Sequence, residues 1–203
     1  LGCGVYYWTV TYWWHRLDWV IMAIKTFTDA TTLPASDINT YLTNSGLVYV
    51  KEQAVTAGGT SVAVTGAFNS SFDSYRIIFD SIGGTSGNSA FLTLNGSAGV
   101  TYYWSGRYWP YTGASGDAQS GGATVGGFWL GIMGAGMTGV FDIINPYVTG
   151  STTRVQGQSA GATYGNVYQG YDTATTQSSG FTITLAAGTL TAGKITVYGY
   201  RKA

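Results

Sequence analysis

Ala90-Phe91-Leu92-Thr93-Leu94-Asn95-Gly96-Ser97 carries the decision on fold class. Ala90, Leu92 and Leu94 stand two apart, the period of a strand with one face in a core, whereas an amphipathic helix needs i, i+3, i+4 spacing. Asn95-Gly96 then supplies two residues that tolerate positive φ, and the reading predicts a type I′ hairpin there. The same rhythm recurs at Val62 and Val64 and at Phe181, Ile183 and Leu185.

Three longer runs, 74–82, 139–145 and 194–200, are apolar on both parities, as expected of central strands or of strands covered on both faces. Arg154, Gln156 and Gln158 alternate the other way and mark a solvent-facing or intersubunit strand, with Val155 and Gly157 inward. Breaks fall at 57–60, 83–88, 95–97, 113–122, 134–139 and Asn145-Pro146. Such short spacing suits a sandwich or barrel, and about eleven strands are expected. No fixed-period repeat is visible, which argues against a propeller or solenoid. The fold class read from the chain is all-β, an antiparallel β-sandwich over 47–203, preceded by a short N-terminal helix.

Composition agrees. Of 203 residues only 9% are charged, 31 are Gly, and Glu52 is the single Glu, so strong helix formers are scarce. Lys plus Arg equals Asp plus Glu at nine each, which provides no net field for nucleic acid or an anionic membrane. Nucleic-acid binding and membrane insertion are therefore not expected. One Cys (Cys3) and one His (His15) leave no intrachain disulfide and no Cys/His zinc cluster, and nothing in the sequence asks for a cofactor.

Residues 1–21 differ from the rest, with four of the seven Trp in a run broken by His15, Arg16 and Asp18. That pattern fits neither a secretory signal nor a membrane span. The expectation is over-extended translation with the start at Met22; an aromatic anchor at a membrane interface is the rival reading. Segment 22–46 reads as an attachment or oligomerisation element. Pro34, a cap at Ser36 or Asp37, and Ile38, Tyr41 and Leu42 at i, i+3, i+4 predict a short helix ended by Gly46, whose one apolar stripe must lie against a partner.

Candidate chemistry is sparse. Gly134, Gly136 and Gly139 spell G-x-G-x-x-G, but a strand ended by proline follows where a dinucleotide site needs a helix, so a β-turn or bulge is expected. A Ser-His-Asp triad lacks its His. Asp73, Asp80, Asp117, Asp142 and Asp172 show no spacing that implies paired carboxylates or a metal, and turn or surface roles are expected. The chain is not expected to be an enzyme. Asn69-Ser70-Ser71 and Asn95-Gly96-Ser97 match the glycosylation sequon without a context that gives it meaning.

The densest unusual feature is Tyr102-Tyr103-Trp104-Ser105-Gly106-Arg107-Tyr108-Trp109-Pro110-Tyr111, six aromatics in ten residues. Alternation assigns Tyr102, Trp104 and Tyr108 to the core. Tyr103, Arg107, Trp109 and Tyr111 are the candidate platform for stacking sugar rings, with Arg107 and Asp117 supplying hydrogen bonds to a neutral ligand. Tyr164, Tyr168 and Tyr171 with Asp172 form a second candidate, for which strand packing is the stronger reading.

Three stretches together resemble a known family. Met22-Ala23-Ile24-Lys25-Thr26-Phe27-Thr28 with Leu33-Pro34-Ala35-Ser36-Asp37-Ile38-Asn39-Thr40-Tyr41-Leu42 is similar to the opening of tail, fibre and minor structural proteins of tailed bacteriophages. Phe68-Asn69-Ser70-Ser71-Phe72-Asp73-Ser74-Tyr75-Arg76-Ile77 resembles one of their strand openings, and Ile195-Thr196-Val197-Tyr198-Gly199-Tyr200-Arg201-Lys202 their closing strand. The resemblance covers 22–203. It implies a virion component assembled in the host bacterial cytoplasm, a homotrimer in contact with other virion proteins, and a sandwich or jelly-roll head that binds a host cell-surface glycan. A head-decoration or head-fibre protein without ligand is the alternative, and a polysaccharide depolymerase the third reading.

Overall fold

Phe181-Thr182-Ile183-Thr184-Leu185 buries its three apolar residues and shows its threonines, and each buried residue meets another in register. Ile183 faces Val62 on one side and Leu92 on the other; Phe181 likewise faces Val64 and Leu94. A four-stranded antiparallel sheet grows from this contact. The computed structural model of the chain describes residues 46–85, 87–97, 102–112, 116–121 and 126–202. They belong to one compact unit, Leu42–Ala203. The expectations for 1–21, for the helix in segment 22–46, and for Ile38, Tyr41 and Leu42 as interface residues lie outside the described residues.

Twelve strands are present: β1 (Leu47–Val55), β2 (Ser61–Val64), β3 (Phe72–Ile82), β4 (Asn88–Leu94), β5 (Tyr102–Pro110), β6 (Asp117–Gly121), β7 (Phe128–Met133), β8 (Met137–Ile144), β9 (Thr153–Ala160), β10 (Tyr164–Asp172), β11 (Phe181–Leu185) and β12 (Gly193–Arg201). They form an eight-stranded sheet ordered β1-β12-β3-β8-β9-β10-β5-β6 and a four-stranded sheet ordered β2-β11-β4-β7. Every pairing between named strands is antiparallel. The chain is all-β, with no helix among the described residues.

One core lies between the sheets. Tyr75, Ile77 and Phe79 of β3, Phe141 and Ile143 of β8 and Ile195 and Val197 of β12 meet Phe181, Ile183 and Leu92, all buried. Phe141 stands edge-on to Phe181 at 6.3 Å and leans against Phe79 at 4.9 Å. The runs expected to be central are central, although their second parity is half-exposed and not covered.

The β5 end of the large sheet wraps around edge strand β7. Phe91 and Trp129 sit opposite one another in register, on the parity away from Leu92 and Phe128, yet both meet Trp104 of β5. Glycine makes this approach possible: Gly106 lies against the ring of Trp129, where a Cβ would collide. Asn166 of β10 ties the sheets together. Its Oδ1 accepts the Ile132 N–H at 2.9 Å, and its Nδ2 donates to Ser159 Oγ at 3.2 Å and to the Ile132 carbonyl at 3.4 Å. Gly131, at φ +104°, gives way beneath it; a side chain there would strike Asn166.

Two expectations are corrected. Asn95-Gly96 makes no hairpin, because β4 and β5 belong to different sheets. Gly96 instead packs on the Gln177 backbone, where a Cβ would collide, and Asn95 Oδ1 accepts the Thr182 hydroxyl at 3.2 Å. The break expected at 113–122 contains β6, so twelve strands replace about eleven. Asp117-Ala118-Gln119-Ser120-Gly121 has poor strand propensity, and pairing with β5 from Tyr108 to Trp104 overrides it.

Candidate functional site

The phase of β5 is set by Tyr102. That residue is 2% exposed, its hydroxyl accepts the Leu94 N–H at 2.9 Å, and its ring stands edge-on to Phe128 at 4.9 Å. Trp104 continues inward, stacked on Trp129 at 5.5 Å. Strand alternation then sends Tyr103, Ser105, Arg107 and Trp109 to the outer face of the large sheet. Tyr103 stacks on Tyr171, its register partner on β10, with centroids 5.0 Å apart and planes within 6°. The Arg107 guanidinium lies over the Trp109 ring at 5.6 Å and donates to the Gly116 carbonyl at 3.2 Å. Gly116 is needed at that position because a Cβ would meet the indole. Tyr111 anchors its N–H on Thr163 at 3.0 Å, and its ring lies by Gly165, the partner of Trp109.

Four of the five site residues expected from the sequence therefore belong to one region: Tyr103, Arg107 and Trp109 on the outer face and Tyr111 at its end. Asp117 is not among them. It is paired with Tyr108, on the opposite parity from Arg107, and accepts the Tyr108 hydroxyl at 2.8 Å. That bond to Asp117 is the main reason the Tyr108 phenol is held above its usual pKa. Of the second candidate set, Tyr168 and Asp172 are buried on the core side; Tyr171 joins the outer face.

The outer face is a continuous open trough. Three depressions, of about 730, 560 and 540 Å³, share wall residues: Ser105, Gln156 and Gln169 join the first two, and Val140 and Gln158 join the first and third. Tyr103 and Tyr171 stand at one end and Trp109 at the other, with glutamines between. Exposures of 36% for Tyr103, 40% for Trp109 and 42% for Tyr171 leave ring area available for stacking.

One side of the trough holds a charged cluster. Arg76 grips Asp142 through both oxygens at 2.9 Å, and the Tyr200 hydroxyl donates to the same carboxylate at 2.9 Å. Burial alone would raise the Asp142 pKa, but the bonds from Arg76 and Tyr200 outweigh it and hold the carboxyl below its ordinary value. Of the other carboxylates, Asp73 meets Lys202 at 2.7 Å, Glu52 and Asp80 share Lys194 at 3.5 and 3.9 Å, and Asp172 accepts the Ala174 N–H at 3.0 Å. Among the described residues no group of three His, Cys, Asp or Glu side chains is placed to hold a metal.

Arg76, Asp142, Gln169 and Ser105 were not selected from the sequence, and Gln156 and Gln158 were read only as an outward strand. Their alternation is visible; their convergence depends on β10 lying between β9 and β5, which no local pattern encodes.

Fold and face together define a class: a two-sheet antiparallel β protein with an open polar and aromatic trough on its larger sheet. No protein-family model, no curated protein and no solved structure matches the chain.

Proposed function

We propose that the chain is a structural protein of a tailed-bacteriophage particle, a tail-fibre or minor tail protein whose β domain binds a host cell-surface carbohydrate in the trough. One observation carries the binding part: an open face on which Tyr103 with Tyr171 and Trp109 present ring area at opposite ends, with Gln156, Gln158, Gln169 and Ser105 between them. Flat apolar rings separated by neutral donors and acceptors match the apolar faces and hydroxyl edges of sugars.

The virion part rests on the resemblance of 22–203 and on a jelly-roll reading of the fold. Strand order supports that reading. Without β5, β6, β9 and β10, the sheets become β1-β12-β3-β8 and β2-β11-β4-β7, eight strands in two Greek keys. The four other strands enter as two pairs, β5–β6 after β4 and β9–β10 after β8, and these pairs build most of the trough. Viral capsid and lectin domains share this plan. Two of the resembling stretches also meet in space, since β12, which holds most of 195–202, pairs with β3, which opens within 68–77. A homotrimer in contact with other virion proteins belongs to the same proposal.

Binding of the full chain to bacterial surface glycans and whole cells tests the first part, with Trp109→Ala and Tyr111→Ala as variants. Each is expected to weaken binding; unchanged binding in both overturns the site. Antibody labelling of intact particles tests the second, with signal expected on the tail. Signal on the capsid alone would favour the head-decoration reading.

A further inference from the structure

Resting on the glycan reading above, we infer that the ligand of the trough is an acidic polysaccharide laid along the strands, with anionic groups reaching Arg154 and Arg107. Both guanidiniums are exposed and neither meets a carboxylate among the described residues. Arg154 sits beside Tyr171 in register, at the end marked by the Tyr103–Tyr171 stack. Arg107 sits on Trp109 toward the other end and spends one donor on the Gly116 carbonyl, which leaves the rest of its fork open. The acid of this face, Asp142, is already neutralised by Arg76. Asp117, nearest to Arg107 in the ladder, is turned to the opposite face and bonded to Tyr108. The whole chain has no net charge, so this excess of positive charge belongs to the trough and not to the composition.

Spacing sets the ligand's length. Arg154 is in register with Tyr103 through Tyr171, and Arg107 lies four residues along β5 and two strands across. At ~3.3 Å per residue and ~4.8 Å per strand the Cα atoms of the two arginines are roughly 16 Å apart. No single sugar covers that span. Single-stranded nucleic acid also joins charge to stacking, but a phosphate at every nucleotide calls for cations along the whole groove. Here glutamines and Ser105 occupy the centre.

The test uses the full chain in titration calorimetry with four probes: a uronic-acid-containing hexasaccharide, its carboxyl-reduced form, the corresponding acidic disaccharide, and a single-stranded oligonucleotide. The acidic hexasaccharide is expected to bind most tightly and to weaken as NaCl rises from about 50 to about 500 mM, where screening shortens to a few ångströms. Arg107→Gln and Arg154→Gln should each weaken it roughly three- to tenfold and flatten its salt dependence, with the circular-dichroism melt of each variant as the control for folding. Equal binding of the acidic and reduced forms without salt dependence overturns this inference and leaves the glycan reading standing. Absence of binding to either hexasaccharide overturns both, as does tighter binding of the oligonucleotide.

Discussion

Replacing Asn166 by alanine should cost more than any exposed substitution on the same strand. The amide makes a 2.9 Å bond to the Ile132 N–H and longer ones, at 3.2 and 3.4 Å, to Ser159 and the Ile132 carbonyl. Asn166 is 2% exposed, so water cannot readily replace it. Stranding a buried backbone donor costs about 1–3 kcal/mol, and two long bonds add roughly another 1 kcal/mol. The sum is about 2–4 kcal/mol, and at roughly 2–4 °C per kcal/mol for a chain of this size Tm should fall by about 5–15 °C. Gln169→Ala is the control. Gln169 lies on the exposed face of the same strand with one 3.4 Å bond to Ser105, and its loss should move Tm by no more than about 2 °C. Differential scanning calorimetry reads both. If Asn166→Ala melts within a degree or so of the parent, the bridge from β10 to β7 contributes nothing and the account of how the sheets are joined is wrong.

Gly106→Val should lower Tm by several degrees, because the added atoms meet Trp129 and overpacking costs about 1–3 kcal/mol; an unchanged melt would mean that β5 is not wrapped against β7. Asp142→Asn tests the charged cluster through pH. The folded carboxyl titrates below its ordinary 3.8, so its stabilisation is present above that value and lost as pH falls through the lower folded value. Urea melts should show the parent losing more stability than the variant as pH is lowered from neutral to 3 and below, and parallel losses would contradict the assignment.

Faces were more legible in the sequence than neighbours. The split of the 102–111 cluster into inward Tyr102, Trp104 and Tyr108 and outward Tyr103, Arg107 and Trp109 follows from alternation alone, because a strand has only two sides. Val155 and Gly157 turned inward for the same reason, and Gly157 packs on Phe141. The turn at 134–136 likewise joins two strands, with Gly136 at φ +63°. What alternation cannot carry is long-range pairing. Asn95-Gly96 had the local chemistry of a hairpin, but its flanking strands found partners in separate sheets. Asp117 was grouped with Arg107 by closeness in sequence, while the β5–β6 register placed it opposite Tyr108. β6 itself has the composition of a loop and is a strand because β5 offers it a ladder.

The central claim, that the trough on the large sheet is the binding surface, is tested most directly by hydroxyl-radical footprinting of the full chain with and without a bound bacterial surface polysaccharide. The account predicts protection of Tyr103, Trp109 and Tyr171 and unchanged oxidation at Tyr49, which stands 60% exposed on strand β1 at the far edge of the same sheet. Protection at Tyr49 with none at Tyr103, Trp109 and Tyr171 would contradict it.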